Sequence, residues 1–404
     1  MSRSTQKLFN CFIKMNQLHM LSMYYQQESS VESQSKRSKR EIRTVEFQLD
    51  GEKHRLHLSP IEHDVAPKGI PIWTVKTDYR KPSFRSYDQI HPENIGLNGL
   101  FYQDTNKSAV LWAYYKDNYI YYDGLFGESK NAKRVRSELE KWWTPRKNSV
   151  NNYANFGANE NDIIHDSKTP NYAYEKLAEP LSIMYPKLLV VVEYNYFKAL
   201  GNNITETVRY ISTLWNAINL KYSRITSLEI KIMITGIIIQ QDPTALRFIH
   251  DSCNNTDEGV KLSSHKMLNL GADYFRMDFN NEVNFKNYDS VIVMTNLNAG
   301  SIAGQAFLGK ICDKYNNVAF VGDDTTYFGV NTGAHELGHL LSLPHDKTAS
   351  SKDCDYLPSP GVATIMAPFV PWVDRFIWSE CSEKRLKIFA GSTASECTKY
   401  TRRN

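Results

Sequence analysis

Between Gly333 and Asp346 the chain reads GAHELGHLLSLPHD, and no other stretch constrains its fold so tightly. His335 and His339 stand four residues apart, so a helix places both imidazoles on one face, one turn from each other. Two nitrogens so placed can reach one metal ion, with bonds of about 2.0–2.1 Å if the ion is zinc. Glu336 adjoins the first histidine. Its carboxylate can sit beside a metal without ligating it and take a proton from water held there. Pro344 breaks the helix just before His345, so the chain must turn, and the turn can return a third imidazole to the same point. Three protein ligands with a fourth position left for water describe an open catalytic centre, not a closed structural one. The competing reading is a polar helix face with unrelated histidines. His54, His57, His63, His91, His165, His250 and His265 lack such spacing and read as surface or satisfied core residues.

A chain of 404 residues is long enough for two domains and large cores. Its net charge of +4, with no long basic stripe, argues against nucleic acid as the main partner. The most apolar runs, PKLLVVV and GIIIQ, are too short to span a membrane. Residues 1–40 read as a disordered polar tail, ending in the basic run Arg37–Arg40, which is either a processing site or a solvated charge cluster. The first thirty residues lack a clean apolar core before a small-residue cleavage site. Either export does not use a standard signal, or the sequence begins short of the true N-terminus. The cysteines point outward. Cys312, Cys354, Cys381 and Cys397 crowd the last quarter without the spacing of a zinc ribbon, which favours disulfides and an extracellular chain.

Residues 41–147 read as a β-rich unit. TVEFQLDGEKHRLHLSP alternates about Asp50-Gly51, and GLFYQDTNKSAVLWAYYKDNYIYYDGLFG reads as a meander. A helix is expected at ESKNAKRVRSELEKWW, and the Asn- and Ser-rich segment 148–180 reads as a linker. From 181 to 404 strands and helices alternate, which predicts a mixed α/β sheet. Strands are expected at KLLVVVEY, SLEIKIMITGIIIQ, DSVIVMTN and NVAFVGDD. One helix is expected where Val208, Ile211, Leu214, Trp215 and Ile218 recur at helical spacing, another at VKLSSHKMLNLGADYFRM.

HELGHLLSLPHD resembles the extended zinc signature HExxHxxGxxHD of metzincin metallopeptidases, and Asp346 after the third histidine points to the reprolysin (adamalysin) branch. Met366 in ATIMAPF matches the Met-turn that metzincins carry below the metal. Pro368 stands where the astacin and serralysin branches would have Tyr. WSECSEKRLKIFA, GQAFLGKICDKYNNVAF and LVVVEYNYF are similar to further reprolysin segments, so the resemblance covers about 181–404. Residues 41–147 are more loosely similar to reprolysin propeptides, and the small architecture is similar to salivary and venom enzymes of arthropods.

The resemblance implies an α/β metzincin-like catalytic domain, with a mostly parallel twisted sheet, an active-site helix and a Met-turn, after a β-rich propeptide. It implies a secreted, monomeric zinc endopeptidase, made as a proenzyme and acting on extracellular proteins and peptides. His335, His339 and His345 would hold one Zn2+, Glu336 would be the general base, and Met366 and Asp346 would be structural. Substrate would lie along the edge strand near Ile302–Leu308, with Ala367–Val373 walling the specificity pocket. The implied bridges are Cys312–Cys397 and Cys354–Cys381, leaving Cys253 over.

Three departures from the pattern stand out. Ser342 replaces a glycine that adopts a left-handed conformation, a cost of about 1–2 kcal/mol. Lys187 stands where the calcium site of some relatives begins with Glu, although Asp289 matches a second ligand; calcium is therefore not expected. No cysteine occurs from residue 12 to 252, so latency would need steric cover or a ligand other than a propeptide thiol. The rival readings are an inactive binding toxin or inhibitor that keeps the fold, and an intracellular peptidase with reactive thiols.

Overall fold

The computed structural model describes residues 42–49, 52–116, 119–127, 133–136, 163–164, 175–256, 259–283, 285–300, 302–346, 359–368, 373 and 375–400. The expected tail 1–40 and Cys354 lie outside the described residues, as does most of the segment 148–180.

The N-terminal region forms a six-stranded sheet in the order Arg43–Leu49, Glu52–Pro60, Gly99–Asp104, Ala109–Lys116, Tyr119–Phe126, Lys133–Arg136. All its pairings are antiparallel. Alternation sets the register. Val45 and Phe47 face Leu56 and Leu58 inside, while Lys53 and Arg55 reach Glu46 outside. The helix expected over ESKNAKRVRSELEKWW is corrected where it is described. Lys133–Arg136 is a strand, with Val135 opposite Gly124, because the free sheet edge overrides local helix propensity.

The second sheet has eight strands, ordered Arg85–Ile90, Ile72–Thr77, Met233–Gln240, Lys187–Val192, Ser290–Thr295, Val318–Gly322, Gly304–Phe307, Ile163–Ile164. The middle four run parallel, and Gly304–Phe307 runs antiparallel beside them. Helices cover both faces, so the central strands read as unbroken apolar runs. The helix Ile204–Tyr222 starts at Asn203, whose side chain accepts from the Glu206 N–H at 3.0 Å, and buries the predicted stripe from Val208 to Ile218. On the other face the helix Ser264–Tyr274 begins later than expected, because Gly259–Leu262 pairs as a strand with Cys253–Thr256. Two strands of this sheet, Ile72–Thr77 and Arg85–Ile90, come from the N-terminal region.

Cys312 and Cys397 form a disulfide, with Cα atoms 5.5 Å apart. Cys381 is also disulfide-bonded. Cys253 is free and half-buried, its thiol pushed up to about 11 by burial. Among the described residues no helix is long and apolar enough to cross a membrane.

Candidate active site

The signature lies on the helix Gly329–Leu340, which is held at both ends. Before it runs the loop Asp323–Phe328, where Thr325 and Tyr327 adopt left-handed φ values of 68° and 67°. Asp323 holds this strained loop. Its carboxylate accepts from the Gly329 N–H at 2.6 Å, the Thr325 N–H at 2.9 Å, and the hydroxyls of Tyr196 at 2.6 Å and Tyr210 at 2.7 Å. Tyr327 stacks on Tyr210 at 4.2 Å and donates its N–H to that hydroxyl at 2.6 Å. Burial and the neighbouring Asp324 push the Asp323 carboxyl up to about 6, against the pull of its donors. Sequence reasoning missed this anchor. The signal is the pair Asp323-Asp324 in the loop before the helix, which the sequence alone presents only as the end of a strand.

At the far end the helix closes in a Schellman turn. Ser342 donates its N–H to the His339 carbonyl at 2.8 Å, and Leu343 donates to the Gly338 carbonyl at 2.9 Å. Ser342 has φ 71°, the left-handed value expected of the glycine it replaces. The turn lays the Leu343 carbonyl on His339 Nδ1 at 2.7 Å and brings His345 back toward the helix. On the first histidine, Nδ1 of His335 meets the Ile365 carbonyl at 2.6 Å. A ring nitrogen facing a carbonyl must donate, so in the neutral rings the Nε2 atoms of His335 and His339 carry bare lone pairs.

Those lone pairs converge. The ligand atoms of His335, His339 and His345 lie within 4.8 Å of one another, and Nε2 of His335 and Nε2 of His345 are 3.1 Å apart. Two nitrogens at tetrahedral positions on one zinc would stand about 3.3 Å apart. The residues therefore fit a metal ion, and the site is capable of coordinating one.

Glu336 is buried beside them, 1% exposed. The strand Gly304–Phe307 crosses directly over it: a Cβ on Gly304 would overlap the Glu336 carboxylate. Beneath the helix, Tyr222 donates its hydroxyl to the Ala334 carbonyl at 2.8 Å. Burial, then the charge of Glu336, pushes that hydroxyl far up, so it stays protonated. Met366 is fully buried against the helix. Its own carbonyl accepts from the Asp346 N–H at 2.8 Å, and Asp346 Oδ1 accepts from the Ser379 hydroxyl at 2.9 Å. Burial pushes the Asp346 carboxyl up. The turn bearing Met366 thus touches the helix, His335 and the residue after His345.

Two expected features look different. The edge strand meant to receive a peptide is paired with the chain itself, Ile163 opposite Ala306 and Ile164 opposite Phe307. Of the expected pocket wall, residues 369–372 lie outside the described residues. Where calcium is not expected, the Lys187 ammonium is 3.0 Å from Asp289 Oδ2 and also bonds the Cys397 carbonyl. A covalently attached cation stands there.

Residues 186–377 match the reprolysin model of metallo-peptidase family M12. Venom metalloproteinase 2 of Eulophus pennicornis is 31% identical over 347 residues, covering 83% of this chain and 82% of that relative. Venom metalloproteinase 3 of the same organism is 29% identical over 377 residues, covering 89% of this chain and 87% of the relative. A disintegrin and metalloproteinase with thrombospondin motifs like protein of Bombyx mori is 28% identical over 245 residues, covering 53% of this chain and 33% of its own length.

Proposed function

The chain belongs to the reprolysin metallopeptidases of family M12, and from that premise we propose a secreted, zinc-dependent endopeptidase that acts on extracellular proteins and peptides. The observation that carries the reading is the convergence of three imidazole nitrogens beside one buried carboxylate.

His335, His339 and His345 hold the metal, with the Ile365 and Leu343 carbonyls keeping two of the rings in the ligating tautomer. Zinc bound there supplies a Lewis acid for a water molecule and for the scissile carbonyl. Glu336 takes a proton from the attacking water onto its carboxylate and passes it to the leaving amine, a role worth about 10²–10⁴ in rate. The Gly304–Phe307 strand binds the peptide in extended form, and Gly304, having no side chain, lets that strand lie on Glu336. Met366 and Asp346 position the ligands from below.

The chain acts as a monomer and is made as a proenzyme. Residues 41–147 form a propeptide-like unit, 148–180 a linker and 181–404 the catalytic domain. The pairing of Ile163–Ile164 along the edge strand supports latency by steric cover. Cys354 is the partner we assign to Cys381. No observation favours an inactive toxin, because all four chemical residues are present. Casein digestion tests the reading. Cleavage that a chelator stops and Glu336→Ala abolishes supports it; chelator-insensitive cleavage, or none after removal of the linker cover, refutes it.

A further inference from the structure

We infer that residues 43–136 are a resident part of the working enzyme: after a cut within 137–174 this N-terminal region stays bound, leaving two chains that share one core. This rests on the proenzyme reading for the cut and goes beyond it, and association is measured without substrate, so the two can fail separately.

A cover that leaves after processing should lie on a finished surface. Here the surface is unfinished without it. The strand Ile72–Thr77 pairs in parallel with Met233–Gln240, Ile72 opposite Ile237 through Val75 opposite Gln240. The Ile234, Ile237 and Gln241 N–H groups donate to the carbonyls of Val65, Pro71 and Val75 at 2.6, 3.0 and 2.9 Å. Trp73 fills a slot that exists because residue 236 is glycine: a Cβ there would lie 2.9 Å from the indole. The same indole packs on Phe285 at 4.9 Å. Departure would expose Ile237, Ile238 and Ile239, now wholly buried, along an open strand edge.

Buried polar groups say the same. Asn216 lies in the middle of the long helix and is 1% exposed. Its side chain accepts from the Val65 N–H at 3.3 Å and donates to Asp64 Oδ1 at 3.0 Å. Arg209 on that helix pairs with Asp123 at 2.7 Å, and Arg85 pairs with Glu282 at 2.9 Å. A catalytic fragment standing alone would not place such groups against a partner it discards. By contrast, the cover on the cleft is a two-residue pairing, Ile163–Ile164. A cut beside it frees that short strand while the N-terminal region keeps its hold. The cleft can therefore open without the region leaving.

The test uses the full chain carrying Glu336→Ala, with a site for a specific protease placed near residue 150. After cleavage, native gel filtration should show both fragments in one peak at equal stoichiometry, separating only in denaturant that unfolds the catalytic fragment too. Aggregation of that fragment when the other is stripped away gives the same answer. Gly236→Val, which closes the Trp73 slot, should make the N-terminal fragment dissociate roughly tenfold more readily. If that variant does not fold, Arg85→Ala read by dissociation rate replaces it. An N-terminal fragment that elutes alone, beside a catalytic fragment still folded by circular dichroism, overturns the inference. A parallel cleaved chain with Glu336 intact is assayed on casein. Its failure there would count against the catalytic reading and leave the association result standing.

Discussion

Gly338 and Met366 lie so close that a Cβ on the glycine would fall 2.6 Å from the methionine sulfur. The contact sets the height of the Met366 turn under the helix. Through the Ile365 carbonyl, that turn fixes the ring of His335. Gly338→Ala should push the turn down, costing about 1–3 kcal/mol by overpacking. Metal affinity should fall about 10–100-fold as the His335 bond is lost. Denaturant unfolding with a competitive metal titration reads both, and an unchanged affinity would sever the proposed link.

Ser342 sits at φ 71° where glycine pays no steric penalty. Ser342→Gly should stabilise the chain by about 1 kcal/mol, while Ser342→Val should destabilise it by more. Thermal unfolding decides. A glycine variant no more stable than the parent would mean that the hydroxyl offsets the strain.

The Lys187 ammonium lies 3.0 Å from the buried Asp289 carboxylate and holds the place a cation would take. Calcium should therefore leave the stability of the chain unchanged. Lys187→Met should cost about 3 kcal/mol, because a buried carboxylate loses its partner. Lys187→Glu should be more damaging still, and calcium should restore part of the loss. Equal melting temperatures for Lys187→Glu with and without calcium would contradict this.

Burial lifts the Asp289 carboxyl from 3.8 to about 6 despite the opposing pull of Lys187. The folded chain therefore holds this proton more tightly than the unfolded chain. The stability this protonation contributes is complete below about pH 4, declines as pH rises toward 6, and is absent above. Unfolding free energy followed across that window should be less steep in Asp289→Asn than in the parent. A slope of the opposite sign, or one unaffected by the substitution, would show that the carboxylate is stabilised in the folded chain.

What the sequence made legible was local. His335, Glu336 and His339 sit one helical turn apart, Pro344 forces the turn, and alternation marks the strands about Asp50-Gly51. What it hid depended on distant partners. Asp323 gains its role only when Tyr196 and Tyr210 arrive from helices more than a hundred residues earlier. Ile72–Thr77 joins the second sheet through its pairing with Met233–Gln240, a partner more than 150 residues away, where Trp73 fits against Gly236. Lys133–Arg136 carries helix-forming residues, yet it pairs along the strand Tyr119–Phe126.

The most direct test of the central claim is the metal content of purified chain, measured by mass spectrometry alongside casein cleavage. One zinc per chain is expected in the parent and in Glu336→Ala, with cleavage in the parent alone, and both should be lost in a His335→Ala, His339→Ala double variant. Full cleavage by a metal-free parent, or by the double variant, would contradict the account.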